Sequence, residues 1–323
     1  MRLLILGGSG FVGRAIAEEA VARGDDVTVF NRGQRGVPPG VRVLRGDRLA
    51  PDGLAALNVD QSWDAVVDTW SAGSGPVGRT ARLLSGRAAH YTYVSSRSVY
   101  QWGATLPLTE LTPLADPREP GYAGDKLRGE NAAEAFDGPV LLARAGLILG
   151  PYEDVGRLPW WLSRVERGGP TLAPGPRELP LQYIDARDLA IFILNAGGAQ
   201  LPGAYNLVSG AGHTTMGELL GLCNEVTGNR ALLRWTDPSV IEAAGIEPWT
   251  QLPIWFPPGP DHEFLHQADV TKAFGAGLRC RPARDTVTDT WRWMRSLRGD
   301  VPLRADRSPV GLDPAIERKV LGE

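Results

Sequence analysis

Short apolar runs alternate with segments of helical period through the first 150 residues of the chain. The runs are Leu3 to Leu6, Asp26 to Phe30, Val41 to Arg45, Ala65 to Asp68, Tyr91 to Ser95 and Val140 to Arg144. Strands separated by helices in this way build a parallel sheet covered on both faces, so the pattern predicts an α/β, doubly wound fold. Between the first two runs, Phe11 to Arg23 puts Val12, Ile16, Ala20 and Val21 on one helical face, and Gly24 supplies the stop. After Gly150-Pro151 the chain becomes rich in Pro, Trp and Gly and its elements lose regular order, which marks a second, smaller lobe. A strand at Leu181 to Ile184 and a helix at Asp185 to Asn195, opened by Asp185 as N-cap, return to the first domain. The expected division is therefore 1–150 with about 181–197, then 151–180 with 198–298, and a charged, proline-broken tail at 299–323.

Composition narrows the classes without changing this picture. Of 323 residues, 43% are hydrophobic and 22% charged, the balance of an ordinary soluble globular protein. A formal charge of −3 provides no basic field, so nucleic acid and anionic lipid are not expected partners. Cys223 and Cys280 are far apart and fit no metal-ligand spacing, which reads as reduced thiols in a reducing cytosol. No run of about 18 apolar residues exists, so a cytoplasmic chain that neither crosses nor enters a membrane is expected. His262 and His266 stand four apart beside Asp261 and Glu263, but no third ligand has a suitable spacing, and no metal is expected.

The first run leads directly into GGSGFVG, with Gly7, Gly10 and Gly13 in the spacing GxxGxxG, followed by Phe11 and Val12 at the start of a helix. Glycine there permits the tight turn and a close backbone approach to a pyrophosphate, and the helix N-terminus supplies amide donors. With strand, helix and second strand all in place, the unit is a dinucleotide-binding βαβ. The second strand ends in Asn31-Arg32-Gly33-Gln34-Arg35. A carboxylate at that point binds a ribose 2′-hydroxyl; its absence, with Arg32 and Arg35 able to clamp a phosphate, favours NADP over the alternative, NAD. Asp47, after the third strand, is placed to accept from the adenine amino group.

The candidate chemistry lies further along. YTYVSSRSVY ends a buried strand in serines, and GYAGDKLRGE carries Tyr122 and Lys126 four apart, on one helical face. A phenol of pKa near 10 is a poor acid–base catalyst at neutral pH, but a neighbouring ammonium favours its phenolate, so Lys126 tunes Tyr122. A strand-end serine, Ser96, can hold a substrate oxygen against that tyrosine for hydride transfer.

Together these segments resemble the extended short-chain dehydrogenase/reductases, in an atypical form, of the NAD-dependent epimerase/dehydratase type. The resemblance runs through GGSGFVG, the RGD after the third strand, VSSRSVY, PLTELTP, YAGDK and RAGLILGPY. It implies a Rossmann-type domain with a carboxy-terminal substrate-binding lobe, and a catalytic set of Ser96, Tyr122 and Lys126. Ser96 is favoured over Ser95 because it precedes Val99-Tyr100 by three residues, the register of the family's serine or threonine. Dehydratases of the family carry an acidic pair where this chain has Arg97 and Ser98, which argues against dehydration. Nucleotide-sugar enzymes carry an asparagine where Leu147 stands, and an apolar leucine cannot replace its hydrogen bond. The short connection from WDAVVDTW to VSS, with room for one modest helix at Gly78 to Ser85, puts the family's usual dimer in doubt and leaves monomer or homodimer open. It also resembles a subgroup that includes chloroplast stem-loop RNA-binding proteins, whose members tend to lose the tyrosine kept here.

The expected function is hydride transfer between NADP(H) and a carbonyl or secondary alcohol of a small molecule. The alternatives are an NAD-dependent epimerase working by transient oxidation and, from another class, an RNA-binding or regulatory protein on a Rossmann scaffold. Trp160, Trp161, Trp235, Trp249 and Trp255 in the second lobe read equally as core or as the wall of an apolar substrate pocket.

Overall fold

The computed structural model describes residues 1–322. The first half of the chain runs β1 (Arg2–Leu6), α1 (Phe11–Ala22), β2 (Asp26–Asn31), β3 (Arg42–Arg45), β4 (Ala65–Asp68), α2 (Gly75–Leu84), β5 (Tyr91–Ser96), α3 (Tyr122–Ala133) and β6 (Val140–Ala145). There follow β7 (Leu147–Leu149), α4 (Arg157–Arg167), β8 (Gly169–Pro174), β9 (Pro180–Leu181), β10 (Tyr183–Asp185), α5 (Ala186–Gly198) and β11 (Gly203–Leu207). The remainder is β12 (Thr214–Thr215), α6 (Met216–Val226), β13 (Ala231–Thr236), α7 (Pro238–Ala243), α8 (Pro260–His266), α9 (Thr271–Gly275), α10 (Ala283–Ser296) and α11 (Pro314–Leu321).

Each of the six apolar runs is a strand, and all six pair in parallel in the order β3-β2-β1-β4-β5-β6. The order reverses between β1 and β4, the switch point outside whose carboxyl ends α/β sheets of this kind hold their ligands. Along β1, Leu4 and Leu6 join Val66, Val77, Leu84 and Tyr91 in one apolar cluster with α2 and α3, and the pleat turns Leu3 and Ile5 to the opposite face. On the helices, α1 packs on α5 and α2 packs on α3.

Among the described residues the sheet has a seventh strand: β11 pairs in parallel with β6. The sequence analysis places this segment in the second lobe. GAYNL is short, opens on glycine and has a polar centre, so it carries no strand period; its Asn206 is buried and held by three groups, donating to the carbonyls of Leu108 (3.0 Å) and Asp269 (3.1 Å) and accepting from the Tyr100 hydroxyl (2.6 Å). α9 packs on the same strand, where the Lys272 ammonium donates to the Ala204 carbonyl at 2.7 Å.

The chain forms two compact units. The first comprises 1–146, 186–208 and 269–279; the second comprises 147–185, 209–268 and the chain from Cys280 onward. Relative to the expected division, 203–208 and 269–279 stand with the sheet, and 147–150 and 181–185 stand with the second unit. The expected strand at Leu181 to Ile184 is also two strands. β9 pairs antiparallel with β12 and β10 pairs in parallel with β7, and the break falls at Gln182. Gln182 donates its backbone N–H to His266 Nδ1 (2.9 Å) and its side-chain amide to the carbonyls of Ser209 and Ala268 (2.9 and 3.1 Å).

The second unit is organised by aromatic packing. Trp161 and Trp255 are buried, and their indoles donate to the carbonyls of Pro253 (2.7 Å) and Gly175 (3.0 Å). Trp160, Trp235 and Trp249 pack partly buried against the same cluster, so these five tryptophans belong to the unit's core. The tail adds α11, whose buried Glu317 takes the Arg164 guanidinium of α4 at 2.7 Å and the Leu172 amide of β8 at 3.0 Å.

Candidate functional site

The glycine loop fits a pyrophosphate cradle by geometry. Gly7 has φ +130°, and a Cβ there would stand 2.2 Å from Thr69 Oγ1; a Cβ on Gly13 would stand 2.6 Å from the Gly8 nitrogen. At Gly13 the backbone therefore approaches itself, and at Gly7 the Thr69 side chain, as closely as glycine permits. Gly10 caps α1 without a side-chain bond, and the first turn, opened by Phe11 and Val12, carries no acidic residue. Its amides and the positive end of the helix dipole are presented to an anion without a competing carboxylate.

The loop after β2 is tied to this cradle. The Asn31 side chain donates to the Gly7 carbonyl at 3.2 Å and accepts from the Gly33 N–H at 2.8 Å. Asn31 thus shapes the turn that carries Arg32 and Arg35, both exposed. A third guanidinium lies there, which the sequence analysis passed over. Arg45 is paired with Asn31 across β2 and β3, and its Nε is 3.1 Å from where a Gly33 Cβ would be. The signal in the sequence was an arginine closing the third strand, opposite the end of the second. Asp47 is half-buried and turns its own loop, accepting from the Leu49 N–H at 2.9 Å.

Directly after Asp47, Arg48 enters the interior. Its guanidinium donates to both oxygens of Asp68 at the end of β4 (2.6 and 2.7 Å), to the Pro76 carbonyl and to the Thr80 hydroxyl. The Tyr91 hydroxyl donates to the same carboxylate at 2.6 Å, and the Trp70 N–H at 2.9 Å. Burial opposes ionisation of Asp68, but Arg48 and these donors outweigh it and hold the carboxyl below its ordinary range.

The expected catalytic residues gather around the end of β5. Ser96 is its last residue, 8% exposed, and its hydroxyl donates to Ser98 Oγ (3.0 Å) while accepting from the Ser98 N–H (3.1 Å). Ser95, one step earlier, is committed elsewhere: its hydroxyl donates to Glu130 at 2.5 Å. Arg97 follows in a single 3-10 turn, where burial pushes its guanidinium down to about 10. α3 packs on β5 and on this turn. Tyr122 opens α3 and is 39% exposed; Lys126, one turn further, is 3% exposed. The Lys126 ammonium donates to the carbonyls of Val94 (2.6 Å), two residues before Ser96, and Trp70 (2.8 Å), and it lies 4.8 Å from the centre of the Tyr93 ring. Burial raises the Tyr93 phenol, and the charges of Asp68, Tyr122 and Glu130 act on it in the same sense.

The remaining sequence-singled residues lie in the second unit's framework. His262 Nε2 is 2.8 Å from the Pro180 carbonyl and His266 Nδ1 takes the Gln182 N–H, so the pair braces β9 and the residue after it. Leu147 belongs to the apolar cluster. Among the described residues no group of three His, Cys, Asp or Glu side chains is arranged to hold a metal, and no helix is long and apolar enough to cross a membrane.

Comparison with known proteins gives three kinds of match. The model of the NAD dependent epimerase/dehydratase family matches residues 3–207. The 2′-dehydrokanamycin reductase of Streptomyces kanamyceticus is 32% identical over 182 residues, 53% of this chain and 51% of that protein, so the chain spans about half the length of this relative. The chloroplast stem-loop binding protein of 41 kDa b of Arabidopsis thaliana is 26% identical over 244 residues, 70% of this chain and 63% of that one. Among solved structures, the Bordetella bronchiseptica enzyme WbmG in complex with NAD and UDP shares the fold at a TM-score of 0.69 and 19% identity, over 96% of this chain and 99% of that chain.

Proposed function

Because the chain belongs to the NAD dependent epimerase/dehydratase family, we propose that it is an NADP(H)-linked oxidoreductase acting on a carbonyl or secondary alcohol of a small molecule. The observation that carries this reading is Lys126. A buried ammonium fixed on two main-chain carbonyls, one helical turn from a partly exposed tyrosine, is the arrangement that makes a phenol a working acid–base group near neutral pH.

Gly7, Gly10 and Gly13, with the amides of Phe11 and Val12, would hold the pyrophosphate, and Arg32, Arg35 and Arg45 would hold a 2′-phosphate. Asp47 would meet the adenine, and Lys126 the nicotinamide end. When bound, the dinucleotide supplies or accepts the hydride. In the reducing direction the Ser96 hydroxyl donates a hydrogen bond to the substrate oxygen, and the Tyr122 hydroxyl transfers its proton to that oxygen as it becomes an alcohol. The charge of Lys126 stabilises the phenolate left behind. In the oxidising direction the same phenolate accepts the alcohol proton.

Tyr122→Phe is expected to lower kcat/KM by about 10²–10⁴-fold with the melting temperature unchanged, because the hydroxyl sits at a partly exposed helix start; retained turnover would overturn the reading. Net consumption of NADPH separates reduction from epimerisation, which returns its hydride. Cofactor choice is tested by thermal shift: NADPH is expected to stabilise the protein more than NADH. Arg32→Ala is expected to weaken NADPH binding by about 10-fold or more while leaving NADH in place.

A further inference from the structure

We propose that Glu130 is a positioning residue for the acid–base pair: its buried carboxylate fixes the seat of α3 on β5, so that the Tyr122–Lys126 turn stands against the strand end at Ser96. The proposal rests on the assignment of Tyr122 and Lys126 made above. Tyr122, Lys126 and Glu130 follow one another at intervals of four along α3, on a single helical face. The face thus carries the proton donor, the group that tunes it and, two turns from the donor, an anchor.

The anchor is built from both strands beneath it. Glu130 is 2% exposed; its Oε1 accepts from Ser95 Oγ (2.5 Å) and Arg144 Nε (3.0 Å), and its Oε2 from Arg144 Nη2 (2.8 Å). Ser95 of β5 is paired with Arg144 of β6, and the next pair in register is Ser96 with Ala145. The carboxylate therefore grips the sheet one residue before the candidate catalytic serine. Arg144 carries the connection onward: its Nη1 donates to the Tyr100 hydroxyl at 3.3 Å, which donates in turn to Asn206 of β11 at 2.6 Å. One buried polar cluster joins α3, β5, β6 and β11.

Steric contact specifies the same seat. Next to Glu130, a Cβ on Gly129 would stand 2.1 Å from the Tyr93 hydroxyl, so the helix rests on β5 as closely as its backbone allows. The same Tyr93 ring lies under the Lys126 ammonium. Height is set by glycine and rotation by the carboxylate. An ion pair buried this deeply is a poor source of stability, since desolvation offsets much of its attraction, but it selects one geometry, and bidentate bonding adds direction.

The test is a phenolate titration read by ultraviolet absorbance, with the Tyr122→Phe curve subtracted to leave Tyr122 alone. In the wild type this component is expected below the ordinary tyrosine value of about 10. In Glu130→Gln it is expected to rise by about half a pH unit or more, because the Lys126 ammonium stays on the Val94 and Trp70 carbonyls while a loosened α3 lets the Tyr122 phenol move away from it. A purely electrostatic role predicts the opposite sign: removing a nearby negative charge lowers a phenol's pKa. A midpoint that falls or stays put in Glu130→Gln overturns the proposal. Glu130→Asp keeps the charge but shortens the reach and is expected to raise the midpoint too, as is Ser95→Ala by a smaller amount; if Glu130→Gln does not fold, these two carry the test with the same criteria. The thermal shift produced by NADPH is expected to match the wild type in each folded variant. A wild-type Tyr122 midpoint at the ordinary value would instead overturn the acid–base assignment itself, so the two failures are distinguishable.

Discussion

The two units bury the same bond around different things. In the first unit, Arg48–Asp68 and Arg144–Glu130 lie at the carboxyl ends of β4 and β6, under the loops and helix that carry Asp47, Trp70, Ser96 and Tyr122. In the second, Arg164–Glu317 ties α11 to α4 and touches none of the residues singled out for chemistry. Burying a guanidinium and a carboxylate brings little net stability, so each pair is best understood by the geometry it holds. The first unit spends its buried charge on orienting candidate functional groups; the second uses it to fasten a helix to an aromatic core.

The sharpest way to break that distinction is Asp68→Asn. It leaves the buried Arg48 guanidinium without its carboxylate and is expected to cost about 3–5 kcal/mol in urea unfolding, and to weaken NADPH binding through the loop of Asp47. The pair also sets an acid limit: with the folded pKa of Asp68 below the unfolded value, its contribution is present above about pH 4 and is lost as pH falls through the folded value. Glu317→Gln should cost less, about 2–4 kcal/mol, because Arg164 keeps the carbonyls of Gly168 (3.2 Å) and Pro170 (2.6 Å). NADPH affinity should not move. Equal losses of affinity in the two variants would erase the contrast between the units.

A fourth buried carboxylate sharpens it. Glu153 is fully buried, accepting from the Arg157 and Leu158 N–H groups at 2.8 and 3.1 Å, and burial pushes it up to about 7. The folded state then holds a proton that the unfolded chain gives up near 4.5. Stability from this group is present below about pH 4.5 and is lost as pH rises through about 7, roughly 3 kcal/mol over that window. Glu153→Gln is expected to flatten the wild-type fall in melting temperature across it. The smallest effect belongs to Tyr93→Phe. The Tyr93 hydroxyl is buried without a hydrogen-bond partner among the described residues, so its removal is expected to raise stability by about 1 kcal/mol and to leave the ring under Lys126 intact.

How far these features could be read from the sequence follows the same division. Strands buried on both faces announce themselves as apolar runs, and β1 to β6 were legible to within a residue or two at their ends. β11 was not, because its centre is Asn206 and its partners are remote in sequence. Two of the second unit's strand pairs, β9 with β12 and β10 with β7, are two or three residues long, too short for any period, and Gln182 divides a stretch that reads as one strand. Of the candidate site, the glycine loop and the tyrosine–lysine spacing are local and therefore visible. Arg45 becomes notable only through its register with Asn31, and Glu130 only through Ser95 and Arg144, thirty-five and fourteen residues away.

The order in which these parts leave the ribosome gives the Arg164–Glu317 pair a further meaning. The two residues are 153 positions apart, and at synthesis rates of ~5–20 residues per second the arginine waits roughly eight to thirty seconds for its carboxylate. The sheet waits as well, since its seventh strand and α9 arrive only by residue 279. Neither unit can reach its final packing while the chain is half made, so the nascent protein passes through a long interval with Tyr100 lacking Asn206 and Arg164 lacking Glu317. Final packing therefore cannot precede synthesis of these late partners, and slowing elongation before residue 317 should lengthen the period in which the second unit is open to proteolysis.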